Sequence, residues 1–388
     1  MGFFSFPLVT FRVFCHNINY GGMKVKVLIA AGGTGGHITP GIAIANALKE
    51  KGHEIIFVGT EKGMEVDLVP KAGYPIKFIH AGWLQKGLSL KNFKTALEVL
   101  KGIANVKQII REEKIDFVIG TGGYVTAPVM IAALKCKVPT LIHESNALPG
   151  KTTKWLSGKV DTVALGFMDA LKRLPKAKNA VFTGNPTKFH VGVSKEEAKR
   201  KLGISKPLVL IFGGSQGAKK INDTMVEYIN NVSITDYQMI YATGPKNYDE
   251  ILSQVNGTCD NIKNGNVRIE KYIYNMDEVM AASDIAVCRS GALTVTELGI
   301  AGVPAILIPY PYAAENHQYF NAKTIADNGG GMIIEEKDLN CHALEQAITS
   351  VLKDKERYTK MQEAAKREEN VGAIDRILKE INQLCDKK

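Results

Sequence analysis

From Val25 onward the chain alternates short β-branched apolar runs with longer stretches whose apolar residues recur every three or four positions. That alternation of a two-residue and a 3.6-residue period predicts strands interleaved with helices. Val25–Ala30, His53–Val58, Ile76–Ile79, Asp116–Ile119 and Pro139–Ile142 read as strands. Between them, Ile42–Glu50, a stretch from about Glu61 to Lys71, Leu88–Glu113 and Val129–Leu134 read as helices; Phe93, Leu97, Leu100, Val106 and Ile110 trace one face of the third. The pattern restarts with a strand at Pro207–Phe212, a helix at Lys219–Asn230 and a strand at Ile285–Val287. A helix through Leu298–Ala301 then stops at Gly302-Val303-Pro304, ahead of a strand at Ala305–Pro309. Val27-Leu28-Ile29 and Val209-Leu210-Ile211 each run into a glycine cluster. Two such copies predict two similar α/β domains with parallel sheets, facing each other across a cleft. The expected division is an extension at 1–22, a first domain at 23–185 and a second at 186–358. The apolar spacing of Ile374, Ile377, Ile381 and Leu384 predicts that a last helix within 359–388 packs back on the first domain.

A length of 388 residues suits two domains, and 45% hydrophobic with 23% charged residues is ordinary for a globular chain. The net charge of +10 is not ordinary. Between His80 and Lys159 twelve Lys or Arg stand against five Asp or Glu, which implies an anionic partner such as phosphate groups or an acidic surface. A solvated basic face would look the same. Six scattered cysteines (Cys15, Cys136, Cys259, Cys288, Cys341, Cys385) form no CxxC pair, which argues against a zinc site or a disulfide framework. No apolar run reaches the ~18–20 residues of a membrane span. Residues 1–22 are apolar but lack a basic start and a small-residue cleavage site. Met23-Lys24 reads as a natural start, so 1–22 is expected to lie outside the fold.

Three glycine loops follow strands: Gly32–His37, Gly120–Tyr124 and Gly213–Ala218. None ends in Gly-Lys-Ser/Thr and none completes GxGxxG, so the nucleotide-triphosphatase and dinucleotide readings lose their main support. Glycines at strand ends let backbone N–H groups approach phosphate oxygens, although tight turns use glycine for steric reasons alone. Ser290–Glu297 offers a helix N-terminus beside a strand end, suited to a phosphate, with Glu297 one turn in. Glu297 is either an acceptor for a ribose diol or an ordinary surface carboxylate. No Asp-x-Asp is present, so helix ends, loop amides and lysines would have to hold a diphosphate without a metal.

Seven motifs then occur in order: Gly-Gly-Thr-Gly-Gly-His (32–37), Gly-Thr-Gly-Gly-Tyr (120–124), His-Glu-Ser-Asn-Ala (143–147), Gly-Asn-Pro (184–186), Gly-Gly-Ser-Gln-Gly-Ala (213–218), Cys-Arg-Ser-Gly-Ala-Leu-Thr (288–294) and His-Gln-Tyr-Phe-Asn-Ala (317–322). Together they closely resemble glycosyltransferase family 28, the MurG family of bacterial peptidoglycan synthesis, from about Lys24 to the C-terminus. The resemblance implies a GT-B fold that moves GlcNAc from UDP-GlcNAc, with inversion, to the MurNAc C4 hydroxyl of undecaprenyl-diphosphate-MurNAc-pentapeptide. It implies no cofactor. Ile273 would meet uracil, Glu297 the ribose, and Ser215 with the amides of Ala292, Leu293 and Thr294 the diphosphate. Gln318 and Asn146 would meet the GlcNAc hydroxyls, with Thr34, Gly35, Gly36 and His37 close by. Lys188 would join the donor site, standing where the family often has Arg; His317 stands where some relatives have a second Gln. Gly32, Gly33, Gly120, Gly122, Gly123 and Tyr124 would face the acceptor diphosphate.

Proton removal from the acceptor falls to His37, or to Glu144 in reserve; alternatively, His37 merely supports its loop. A polyprenyl-anchored acceptor implies a peripheral enzyme on the cytoplasmic face of the cell membrane, in reach of other cell-wall synthesis proteins. Trp83, Leu84, Lys86, Lys91 and Lys94 form the expected anionic-membrane patch, with Lys151, Lys154 and Trp155 as its possible extension. The rivals are a diacylglycerol glycosyltransferase of the same fold, a hydrolysing UDP-GlcNAc 2-epimerase of the same fold, whose signature of acidic and basic residues for elimination is not found in the sequence, and a basic nucleic-acid-binding protein. The lysines lack the aromatic interleaving the latter needs.

Overall fold

The computed structural model describes residues 24–82, 90–255 and 260–385, with the side chains of 90–96 left aside. The extension at 1–22 and the patch residues Trp83, Leu84 and Lys86 lie outside the described residues. So do the side chains of Lys91 and Lys94.

Seven strands build the first sheet: β1 (Lys26–Ala30), β2 (Glu54–Gly59), β3 (Ile76–Phe78), β4 (Phe117–Gly120), β5 (Thr140–Glu144), β6 (Thr162–Leu165) and β7 (Ala180–Phe182). Their order is β3-β2-β1-β4-β5-β6-β7, and every pair is parallel. The second sheet holds β8 (Leu208–Phe212), β9 (Gln238–Ala242), β10 (Val267–Glu270), β11 (Ile285–Cys288), β12 (Ala305–Leu307) and β13 (Gly331–Ile333), in the order β10-β9-β8-β11-β12-β13, also parallel. This is the two-domain parallel α/β architecture the sequence predicts.

Parallel strands covered on both faces must be apolar throughout, and the cores follow from the two-residue alternation. Leu28 and Ala30 point into one cluster with Val118 and Ile142, while Val27 and Ile29 point into the opposite one with Phe57 and Phe117. In the second domain Leu208 and Leu210 divide from Val209 and Ile211 in the same way. Strand order reverses between β1 and β4 and between β8 and β11. Loops leaving those strand ends open a crevice where ligands bind.

The chain crosses between domains at two places. After β7 it runs through Thr183–Phe189 to the helix Lys195–Leu202. The return differs from the expected boundary at 359. Met361, on the helix Lys355–Ala365, is buried with Val209 and Ile348 in the second-domain core, so the crossing falls after Ala365. The last helix, Ala373–Cys385, buries Ile377, Leu378 and Ile381 against Val27, Ile29 and Leu48 of the first domain. Arg376 fastens it by donating to the Thr183 carbonyl at 2.8 Å. The helix placed from about Glu61 begins at Glu65. Strands β6, β7, β9, β10 and β13 had no counterpart among the predicted elements.

Candidate active site

The first-domain loops interlock. Gly33 (φ +89°) donates its N–H to Glu65 Oε2 at 2.9 Å. Glu65 is fully buried, and its Oε1 also accepts from Thr60 N and Oγ1 at 3.0 Å each. The Tyr124 hydroxyl closes on Thr60 Oγ1 at 2.7 Å. A side chain at Gly123 (φ +79°) would meet the Gly32 carbonyl at 2.3 Å, and one at Gly122 (φ +113°) would meet the His37 ring at 2.3 Å. Gly120 faces the Thr126 methyl in the same way, at 2.6 Å. These glycines answer first to protein packing: Gly32 and Gly120 are buried, which corrects their assignment as acceptor contacts. What stays open is the start of the helix Gly35–Glu50. No atom lies within 4 Å of a Cβ at Gly35, Gly36 meets only Thr34 Oγ1, and Thr34 is exposed with its side chain uncommitted as a cap. The open amides and the positive end of that helix face the crevice.

His37 stands in the first turn of this helix, its carbonyl accepting from Thr121 Oγ1 at 2.8 Å. Its pKa lies below the usual 6.5, chiefly through burial; Glu144 raises it, His317 lowers it and the Thr121 backbone raises it. A neutral imidazole at pH 7 can accept a proton. Glu144 cannot take that part as placed. Its Oε1 accepts from Asn146 N (3.1 Å) and Nδ2 (3.2 Å), and its Oε2 from Gly150 N (3.0 Å) and Thr153 Oγ1 (2.6 Å). Four donors fill a carboxylate's lone pairs, so Glu144 shapes the turn that carries Asn146 and is corrected from reserve base to positioning residue.

In the second domain, Gly214 (φ +95°) and Ser215 protrude beyond β8 with nothing packed on the glycine. The helix Ala292–Ala301 makes its first backbone bond from Val295 N to Gly291 O, so the amides of Ala292, Leu293 and Thr294 remain available. The Ser290 hydroxyl beside them is buried without a partner among the described residues. Glu297 borders a cavity of about 250 Å³ between the domains, walled by Thr39, Ile42 and Ala43 from the first domain and by Lys188, Met276 and Asp277. Burial pushes its carboxyl up to about 7; the hydrogen bond from Thr187 Oγ1 (2.8 Å) opposes this and Asp277 adds to it. Ile273 is buried in the domain core, leaving its backbone as the group able to meet a ligand. Gln318 Oε1 accepts from Tyr310 N at 2.9 Å.

Residues that sequence reasoning passed over join the halves. Asn321, fully buried, accepts from Ala147 N (2.9 Å) and donates to Asn146 Oδ1 (3.1 Å) and Ser290 O (3.2 Å). Asn185 donates to Ser145 O and Thr296 Oγ1. Both sat inside quoted motifs, and that was their only signal. Glu65 and Thr187 had none. No group of three or more His, Cys, Asp or Glu side chains is placed to hold a metal ion among the described residues.

The geometry has close counterparts. The glycosyltransferase family 28 N-terminal domain matches residues 27–165, and the family 28 C-terminal domain matches 208–377. An Acetivibrio thermocellus UDP-N-acetylglucosamine–N-acetylmuramyl-(pentapeptide) pyrophosphoryl-undecaprenol N-acetylglucosamine transferase is 44% identical over 370 residues, covering 94% of this chain and 99% of its own. The chain belongs to glycosyltransferase family 28. A Bacillus cereus family 28 relative of the same name, numbered 1, is 40% identical over 94% of this chain and all of its own. The crystal structure of Acinetobacter baumannii MurG superposes with a TM-score of 0.75 at 27% identity, covering 93% of this chain and 100% of that one. The calicheamicin glycosyltransferase CalG4 (TM-score 0.67, 14% identity, 94% and 99% covered) shares the fold alone. So does a putative UDP-N-acetylglucosamine 2-epimerase from Listeria monocytogenes (0.61, 16%, 93% and 96%). Family 28 thus accounts for both sheets and for the motif order along the cleft.

Proposed function

We propose that this family 28 enzyme transfers GlcNAc from UDP-GlcNAc to the MurNAc C4 hydroxyl of undecaprenyl-diphosphate-MurNAc-pentapeptide, inverting the anomeric carbon. The observation that carries the reading is the cavity at Glu297, walled by residues of both domains, among them Thr39 and Ile42 of the helix that carries His37. The ribose hydroxyls donate to Glu297, uracil meets the Ile273 backbone, and Lys188 borders the same cavity. The diphosphate lies on the Ser215 loop and the amides of Ala292, Leu293 and Thr294, which stabilise the charge growing on the UDP leaving group. Asn146 and Gln318 orient the sugar. His37 takes the proton from the C4 hydroxyl as its oxygen attacks C1 and the bond to UDP breaks. Thr34, Gly35, Gly36 and the neighbouring Gly33, Gly122, Gly123 and Tyr124 border the acceptor's place.

Among the described residues no helix is long and apolar enough to cross a membrane. A lipid-anchored acceptor therefore calls for surface binding, on the cytoplasmic face, through Trp83, Leu84, Lys86, Lys91 and Lys94. Trp155 is half exposed, with the Lys159 ammonium 3.8 Å from its ring centre, a second site of the same basic and aromatic chemistry. Turnover of UDP-GlcNAc with a short-chain lipid-linked MurNAc-pentapeptide tests the reaction; UDP release with no disaccharide product would overturn it. Sedimentation with anionic liposomes tests the surface. Replacing Trp83 and Leu84 by Ser should weaken binding, and equal binding would move the membrane face elsewhere.

A further inference from the structure

Arg289 is buried at the end of β11, next to the Ser290–Thr294 turn. Its Nη1 donates to the carbonyls of Ile308 and Pro309 at 3.2 Å each, and its Nη2 pairs with Glu336 beyond β13. The Tyr310 ring lies 5.3 Å from the guanidinium carbon. One side chain thus ties together the ends of three neighbouring strands.

The segment it grips opens the loop that leads into the helix His317–Ala326. That loop contains Glu315 (φ +52°) and Asn316 (φ +57°), left-handed residues that are not glycine. Such conformations persist where the surroundings over-determine them. At the start of the loop, Tyr310 N–H donates to Gln318 Oε1. With its oxygen committed, the Gln318 amide offers only Nε2–H donors to a ligand. Gln318 lies three residues before Asn321, on the same side of the helix, and the Asn321 side chain reaches Asn146 across the domain boundary. The Gln318 side chain therefore leaves the helix on the face that Asn321 turns to the domain boundary.

We propose that Arg289 and Glu336 are a positioning pair for donor-sugar recognition. By fixing Ile308–Tyr310 they lock the Gln318 amide with its NH₂ toward the transferred sugar, where it selects a hydroxyl oxygen able to accept. The inference rests on the UDP-sugar reading above.

The test compares Arg289→Lys, which keeps the charge and loses the planar fork, and Glu336→Gln with Gln318→Ala and with the double variants. The KM for UDP-GlcNAc and the competitive Ki of UDP, which lacks the sugar, are measured in each. Either positioning variant should raise the KM roughly fivefold to twentyfold, the factor carried by a misaimed hydrogen bond, and shift the Ki of UDP less than about twofold. Added to Gln318→Ala, neither should raise the KM further. Equal factors in KM and Ki, an unchanged KM, or effects that multiply in the double variants would overturn the proposal. If Arg289→Lys fails to fold, the near-isosteric Glu336→Gln carries the test, with its thermal midpoint checked against wild type. A wild-type protein with no affinity for UDP would sink the donor reading itself, whereas failure confined to the variants sinks the pairing alone.

Discussion

Burial raises the pKa of the Glu297 carboxyl in the free protein, to about 7. A ribose diol donates hydrogen bonds to the ionised form, so binding and ionisation favour each other. UDP affinity should therefore fall as pH drops through 7, by up to about tenfold per unit, with a proton taken up on release. Calorimetry of UDP binding from pH 5.5 to 8.5 checks this. The relevant slope is the difference from Glu297→Gln, because the nucleotide's own terminal phosphate titrates near ~6. Parallel curves for the two proteins would remove Glu297 from the ribose. His37 calls for the opposite bookkeeping: its folded pKa is depressed, so it is neutral throughout the neutral range and the acid limb of kcat/KM should lie below 6.5. His37→Ala should lower kcat by roughly 10²–10⁴ at saturating acceptor, the usual contribution of a general base, and leave UDP affinity unchanged. A kcat near wild type in that variant would assign the proton transfer to another group.

At the scale of elements, the decisive contact is between two loops that leave adjacent strands. The helix carrying His37 begins where β1 ends, and the Gly122 turn begins where β4 ends; β1 and β4 are neighbours at the point where strand order reverses. The His37 ring fills the space a Gly122 side chain would take. Gly122→Ala also demands φ +113° from an L residue, a strain of about 1–3 kcal/mol. The expected result is a lower thermal midpoint and a large loss in kcat, with UDP binding retained because the donor elements belong to the other sheet. Loss of UDP affinity in step with kcat would show that the two halves of the site are not separable in this way.

For the molecule as a whole, the two domains meet through an apolar cluster that joins Ala147 and Phe167 to Val295, Leu298 and Ala322, and through the buried amides of Asn185 and Asn321; His143 lies beside that junction. It is almost fully buried, its Nε2–H donating to the Gly184 carbonyl at 3.2 Å with Ser145 Oγ 3.3 Å from Nδ1. Burial lowers its pKa to about 4, against weaker pulls from the Gly184 carbonyl and Glu144. Above 6.5 the residue is neutral in both states and its contribution is intact; as pH falls from 6.5 to 4 only the unfolded chain takes the proton, and stability drops. The shift is equivalent to about 3 kcal/mol in total. Urea unfolding at pH 7 and pH 4.5 should show a smaller acid loss in His143→Gln than in wild type, and an equal loss would mean other groups dominate the acid limb.

The sequence by itself determined the class of fold, the duplication of a strand-and-glycine start and the order of the loops. Each of these rests on local pattern, since β-branched runs, helical spacing and contiguous motifs are read within a few residues of one another. Strands of three residues, such as β7 and β13, were beyond that reach, because three positions carry no period. Tertiary structure alone decided who holds whom. Glu65 reaches Gly33 across 32 positions, Arg289 reaches Glu336 across 47, and Asn321 reaches Asn146 across 175. It also reassigned Glu144 from base to brace by filling its lone pairs, gave the glycines of the Gly120–Tyr124 loop a steric cause, and raised the Glu297 pKa by closing a cavity between domains. Hydrogen-bond partners and desolvation depend on groups brought together from distant parts of the chain, and no local pattern encodes that distance.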